Sequence, residues 1–144
     1  MTDPLRSLQG VSYWIIDDPK SIYGFINTNV RLEWENDVRD SEGFLERDLW
    51  LQTLSKRRWT LEAIQLEEIR LNPAVMNYRN EARGYDFQTN LAKRSLLLEK
   101  ALGTGAVIWP LVVDEGMWLR DGYCRYSTLT KLGISEAYSY LGAV

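Results

Sequence analysis

Residues 107 to 133 constrain the fold more than any other stretch, because strand and turn signals there give way abruptly to a helical period. Val107-Ile108-Trp109-Pro110-Leu111-Val112-Val113 is a compact apolar run and reads as a buried strand. Asp114-Glu115-Gly116 suits a tight turn, and Met117 to Arg120 the returning strand of a hairpin. Asp121 then suits an N-cap. Tyr126, Leu129 and Leu132 fall on one helical face, and Gly133 stands where a left-handed residue closes a helix. A helix of about three turns over 121 to 132 follows.

A strand that enters a helix through a Gly-containing turn leaves the first backbone N–H groups without helical partners, which favours an anion there. Arg125 adds a planar cationic fork to the first turn, and Gly122 lets a phosphate approach the backbone where a Cβ would obstruct it. An ordinary turn gives the same pattern, with Arg125 either solvated or paired with Asp121 or Asp114.

With 144 residues and 45% hydrophobic residues, the chain fits one α/β domain with a real core, and its six Trp and eight Tyr read as core or interface filler. A net charge of −3 argues against DNA as the main partner, since nucleic-acid binders carry a basic surplus or stripe. Lys56-Arg57-Arg58 is the nearest approach to a stripe, and it falls at a predicted helix end where cations favour the dipole. One Cys and no His exclude disulfide frameworks and the common zinc sites within one chain, and fit a reducing, cytoplasmic setting. Neither a leader pattern nor an 18-residue apolar stretch is present, so a soluble, unprocessed protein without a membrane partner is expected.

Along the chain, Val11 to Ile16 reads as a strand stopped by Asp17-Asp18-Pro19, and Asp18-Pro19 opens a helix with Ile22, Tyr23 and Ile26 on one face. Residues 27 to 43 are polar without clear period and read as a loop pinned by Trp34. Phe44, Leu45, Leu49 and Leu54 predict an amphipathic helix over 44 to 57, capped by Asp40 or Ser41, whose apolar face offers a homodimer contact. Further strands are expected near 59 to 64, 106 to 113, 117 to 120 and 135 to 140, a helical turn at Leu66 to Ile69, and a helix from Leu91 to Leu102. The polar segment 74 to 86 reads as a loop able to close over a ligand.

Residues 60 to 142 resemble the ParB/sulfiredoxin fold. The resemblance rests on five pieces in order: Ile64-Gln65-Leu66-Glu67-Glu68-Ile69-Arg70-Leu71-Asn72-Pro73, the helix from Leu91 to Leu102, Pro110-Leu111-Val112-Val113, Asp121-Gly122-Tyr123-Cys124-Arg125-Tyr126, and Lys131-Leu132-Gly133-Ile134. It implies a small mixed sheet with flanking helices over residues 59 to 144, binding a nucleotide, while residues 1 to 58 form a mostly helical N-terminal extension packed on that core. It also implies ATP or another nucleotide as cofactor, with Mg²⁺. Lys93 takes the position of the nucleotide-contacting Lys of sulfiredoxins; Ser95 lies one residue from a hydroxyl position, and Gly122, Tyr123, Cys124 and Arg125 form the phosphate turn.

The departures narrow the activity. Sulfiredoxins place their catalytic Cys two residues before the Arg, where this chain has Tyr123, and Cys124 replaces a phosphate-contacting His. ParB proteins carry a helix-turn-helix domain after this region, for which no room is expected before Val144. The related free serine kinases supply an Asp, matched by Asp121 as metal ligand or base, and a Glu for which Glu68 is the nearest candidate although Asn72-Pro73 stands at the motif position. Together these imply a nucleotide-dependent phosphotransferase or nucleotide hydrolase acting on a small molecule or protein. A non-catalytic nucleotide- or protein-binding module and a DNA-associated nuclease or partition accessory are the alternatives.

Overall fold

The computed structural model describes residues 4–35 and 46–144. The chain opens with an antiparallel hairpin of β1 (Leu5–Leu8) and β2 (Val11–Trp14). Helix α1 (Pro19–Phe25) starts as its sequence requires: Pro19 occupies the first helical position, and the Asp18 carboxylate accepts from the Ser21 N–H at 2.9 Å. Over residues 27 to 35 the expected loop is not what forms, and residues 36 to 43 of that expectation lie outside the described residues. The helix continues through a π-helical stretch, Ile26–Val30, into α2 (Arg31–Glu35). Ile22, Ile26 and Val30 recur at four-residue spacing and all are buried, while the half-buried Arg31 donates from Nε to Asn27 Oδ1 at 2.8 Å and from Nη2 to the Leu51 carbonyl at 3.3 Å.

Helix α3 (Glu46–Thr53) and the 3-10 turn Leu54–Lys56 lie within the expected 44 to 57 helix, but its buried face is Trp50, Leu51 and Leu54, with Leu49 exposed. The caps proposed at Asp40 or Ser41 fall outside the described residues, as do Phe44 and Leu45. Arg57 follows the last helical turn, at the helix end expected for it. Its side chain is 9% exposed, lies over the Trp50 ring at 4.7 Å, and Nη1 donates to Glu115 at 2.6 Å and to the Gly142 carbonyl at 2.9 Å.

After β3 (Arg58–Gln65) come a 3-10 turn Leu66–Glu68, the short helix α4 (Pro73–Met76), a small hairpin of β4 (Arg79–Asn80) and β5 (Tyr85–Asp86), and the long helix α5 (Phe87–Gly103). Residues 74 to 86 are thus structured rather than an open loop, because Asn72 caps α4 and Asp86 accepts from Thr89 N–H at the start of α5. The single strand expected over 106 to 113 divides at Trp109-Pro110. β6 (Val107–Ile108) pairs with β2, whereas β7 (Leu111–Asp114) enters the main sheet. Pro110 has no N–H to continue a ladder, so the chain changes sheets there. Then follow β8 (Leu119–Asp121), α6 (Tyr123–Lys131) and β9 (Glu136–Ala143).

The main sheet has four strands in the order β3-β9-β7-β8, antiparallel except for the β7·β9 pair. Alternation along β7 sends Leu111 and Val113 to one core and Val112 to the other. The first core also takes Val11, Tyr13 and Ile15 from the N-terminal hairpin and Leu129 from α6. The second joins α1, Val30, Trp50, Leu54 and Trp59. The architecture is mixed α/β, with small sheets and flanking helices. Among the described residues no helix is long and apolar enough to cross a membrane.

Candidate functional site

The hairpin of β7 and β8 is closed by Asp114, whose Oδ1 accepts from the Gly116 and Trp118 N–H groups and whose Oδ2 pairs with Arg120 at 2.8 Å. β8 thereby delivers Asp121 to the start of α6. Asp121 ends the strand rather than capping the helix; Gly122, at φ +107, holds the cap position and has no side chain with which to cap. Gly122 therefore brings no side-chain cap to the first turn of α6.

Arg125 turns back over this glycine. Nη2 pairs with Asp121 Oδ2 at 2.8 Å, and Nη1 donates to the carbonyls of Trp109 and Pro110 at 3.0 and 3.2 Å. A Cβ on Gly122 would stand 2.7 Å from Leu111 Cδ2 and 2.9 Å from Arg125 Nη2. The room that the glycine leaves is taken by Arg125 and Leu111, so of the two sequence readings of Arg125 the geometry matches the pairing with Asp121.

The start of α6 opens on a cavity of about 860 Å³. Phe25, Val30, Trp34 and Trp109 wall one side, Phe87, Leu97 and Leu98 another, and the polar lining comprises Asn29, Glu33, Asn72, Arg94, Arg120 and the 121 to 125 turn. Trp34 Nε1 donates to the Arg120 carbonyl at 3.0 Å, which docks α2 against β8. Beside it the Glu33 carboxyl faces that of Asp121. Although Glu33 is an exposed residue, that carboxyl loses water where it meets Asp121. This desolvation, with the charge of Asp121 and a hydrogen bond shared with it, pushes Glu33 up to about 7 against the opposing pull of Arg125 and Arg94.

Of the residues singled out from sequence, Asp121, Gly122, Tyr123, Cys124 and Arg125 all line this cavity. Tyr123 also receives the Asn72 N–H on its hydroxyl at 3.2 Å and packs edge-on against Phe87, which makes it a wall as much as a polar contact. Cys124 is a half-buried free thiol. The others lie elsewhere. Lys93 is on the exposed side of α5, and the neighbouring Arg94 is the cation that reaches the cavity. Ser95 is buried, its hydroxyl bonded to Thr128 at 2.8 Å. Glu68 is exposed on its 3-10 turn and outside the cavity lining.

Glu33, Asn29, Arg94 and Trp109 were missed. The first two had a signal: Ile22, Ile26, Val30 and Trp34 recur every four residues and mark a helix whose neighbouring positions would carry Asn29 and Glu33 along the same flank. Among the described residues no three His, Cys, Asp or Glu side chains gather to hold a metal. The Glu33–Asp121 pair supplies two carboxylates.

No protein-family model matches the chain, and no curated protein does. Two solved structures of a pNOB8-like ParB N-domain are similar to it. One is 23% identical with a TM-score of 0.46 and covers 62% of this chain and 31% of its own; the other is 24% identical with a TM-score of 0.43, covering 61% and 29%. The chain thus spans under a third of those ParB chains. The sulfiredoxin of Arabidopsis thaliana is similar at 21% identity and a TM-score of 0.37, covering 58% of this chain and 88% of the sulfiredoxin. These neighbours carry the two names, ParB and sulfiredoxin, that residues 60 to 142 resemble in sequence.

Proposed function

We propose that the cavity at the start of α6 binds a nucleotide, and that the protein is a nucleotide-dependent phosphotransferase or nucleotide hydrolase acting on a small molecule or a protein. One observation carries this reading: the start of α6, Arg94 and the Glu33–Asp121 carboxyl pair meet in a single cavity of about 860 Å³. The N–H groups of a helix start and a guanidinium fork are donors that phosphate oxygens take, and Arg94 has no ion pair among the described residues. Two carboxylates match Mg²⁺, which takes one or two from protein and fills its shell with phosphate oxygens and water. When bound, that ion neutralises charge on the transferring phosphoryl group.

The chain's own residues have separable duties. Arg125, tied to Asp121 and two carbonyls, fixes the Asp121 carboxylate against the cavity and is a positioning residue. Glu33 shares a hydrogen bond with Asp121, and the two carboxyl groups together would hold the ion. Arg94 orients phosphate from the α5 side. The test is a thermal-shift panel of ATP, ADP, CTP and GTP with Mg²⁺. A ligand at 100 times its Kd stabilises the folded state by about 2.7 kcal/mol, and the absence of a shift with every nucleotide would sink the proposal.

A non-catalytic binding module is the second reading. It is favoured by the commitment of Arg125 to internal partners and by the placement of Lys93 and Glu68 outside the cavity. Phosphate release under conditions where a nucleotide binds separates the two.

A further inference from the structure

Phe25, Asn29 and Glu33 recur every four residues along α1, the π-helical stretch and α2, and all three line the cavity. The flank they form runs from an aromatic ring through an amide to a carboxyl, over about 10 Å. At its far end Glu33 shares a hydrogen bond with Asp121 and feels the charges of Arg125 and Arg94. At its near end Phe25 meets Trp109, with ring centroids 4.4 Å apart and planes inclined by 31°. Trp109 leans on Trp14 at 6.5 Å and stays 37% exposed, so the stack has room for a further ring. Between the two ends the Asn29 side chain is exposed and makes no hydrogen bond among the described residues.

We propose that this flank of the N-terminal segment supplies the base and sugar subsite of the cavity: the base stacks at the Phe25–Trp109 end, the ribose hydroxyls meet Asn29, and the phosphates reach Arg94 and the Glu33–Asp121 pair. The inference rests on the nucleotide reading above and deepens it. The order of the groups sets the orientation. Phosphate placed against Phe25 and Trp109 would lose water to two aromatic rings, because Arg125, which holds the Trp109 carbonyl, is already bound to Asp121 and to a second carbonyl. Arg94, at the other end, has no ion pair among the described residues. Every base has a π-face that an aromatic pair can take, and an amide both donates to and accepts from hydroxyls. Aromatic, amide and charged groups thus follow one another along the cavity in the order of base, sugar and phosphate.

The experiment titrates ATP, CTP, 2′,3′-dideoxy-ATP and inorganic tripolyphosphate, each with Mg²⁺, into the whole chain and into Trp109→Ala, Trp109→Phe and Asn29→Ala, with thermal melts confirming that each variant is folded. Substitution at Trp109 leaves in place the main-chain carbonyl that Arg125 holds. The wild type binds ATP and CTP tighter than tripolyphosphate by about tenfold or more. Trp109→Ala removes that advantage and leaves tripolyphosphate affinity unchanged, whereas Trp109→Phe keeps most of it. Asn29→Ala weakens ATP by about three- to tenfold and leaves 2′,3′-dideoxy-ATP unchanged. Tripolyphosphate that binds as tightly as ATP overturns the subsite while the phosphate site stands. So does a Trp109→Ala variant that weakens tripolyphosphate as much as ATP, which makes the ring a structural prop, and an Asn29→Ala variant that weakens ATP and 2′,3′-dideoxy-ATP alike overturns the sugar contact. If neither tripolyphosphate nor any nucleotide binds, the nucleotide reading itself fails and the subsite with it.

Discussion

Replacing Arg125 with alanine probes the element that joins fold and site. Its guanidinium makes one ion pair, at 2.8 Å between side chains 18% and 21% exposed, and two hydrogen bonds to the carbonyls of Trp109 and Pro110. Hydrogen bonds that involve a charged group contribute about 1.5 to 3 kcal/mol each when buried. Part of that is recovered here, because the Trp109 carbonyl lies near solvent and water can replace one donor. The net loss is about 2 to 3 kcal/mol. For a chain of 144 residues, the usual unfolding entropy converts this into a Tm lower by about 6 to 10 °C. Scanning calorimetry reads the shift directly. Arg125→Lys recovers less than half of it, since a point charge cannot serve Asp121 and two carbonyls together. A Tm within about 2 °C of wild type, accompanied by loss of nucleotide affinity, would refute the reasoning and make Arg125 a ligand group instead of a strut.

Gly122→Ala combines a left-handed φ of +107 with a 2.7 Å approach to the buried Leu111 side chain, and denaturant unfolding should show a loss of about 2 to 4 kcal/mol. Ser95→Ala removes one partner of a buried hydroxyl pair, but Thr128 keeps its bond to the Cys124 carbonyl; stability falls by about 1 kcal/mol and nucleotide affinity per folded molecule stays unchanged in titrations. The folded state raises Glu33 from its ordinary value of 4.5 to about 7, so folding binds a proton between those values. The stability that this contributes is present at low pH and is lost as pH rises through about 7; Glu33→Gln should flatten that part of a Tm-against-pH curve.

β2, β3, β7, β8 and β9, α1 and the run into α6 were legible because their signals are local, whereas β1, β4 and β5 were not expected. Asp18-Pro19 capped the helix it announced, and Gly133, at φ +77, closes the last turn of α6. Most of the cavity was not legible, for reasons that are tertiary. Asn27, Thr28 and Asn29 hid a helix whose evidence was spread over Ile22, Ile26, Val30 and Trp34, and with it Glu33. Counting along α5 favoured Lys93, but the rotation of that helix, set by Leu91, Ser95 and Leu98 packing inward, aims Arg94 at the cavity. The fate of Gly122 depended on where the Arg125 side chain turned, which spacing does not encode.

The central claim is that a nucleotide sits between α6 and Arg94. Calorimetric titration with the nucleotide that gives the largest thermal shift, in the presence of Mg²⁺, tests it most directly when run on the wild type, Arg94→Ala and Lys93→Ala. The account predicts one site per chain, an affinity lowered by about one to two decades in Arg94→Ala through loss of a charged phosphate contact, and no change in Lys93→Ala. Binding that Arg94→Ala leaves intact while Lys93→Ala weakens it would contradict the account, as would no binding in any of the three.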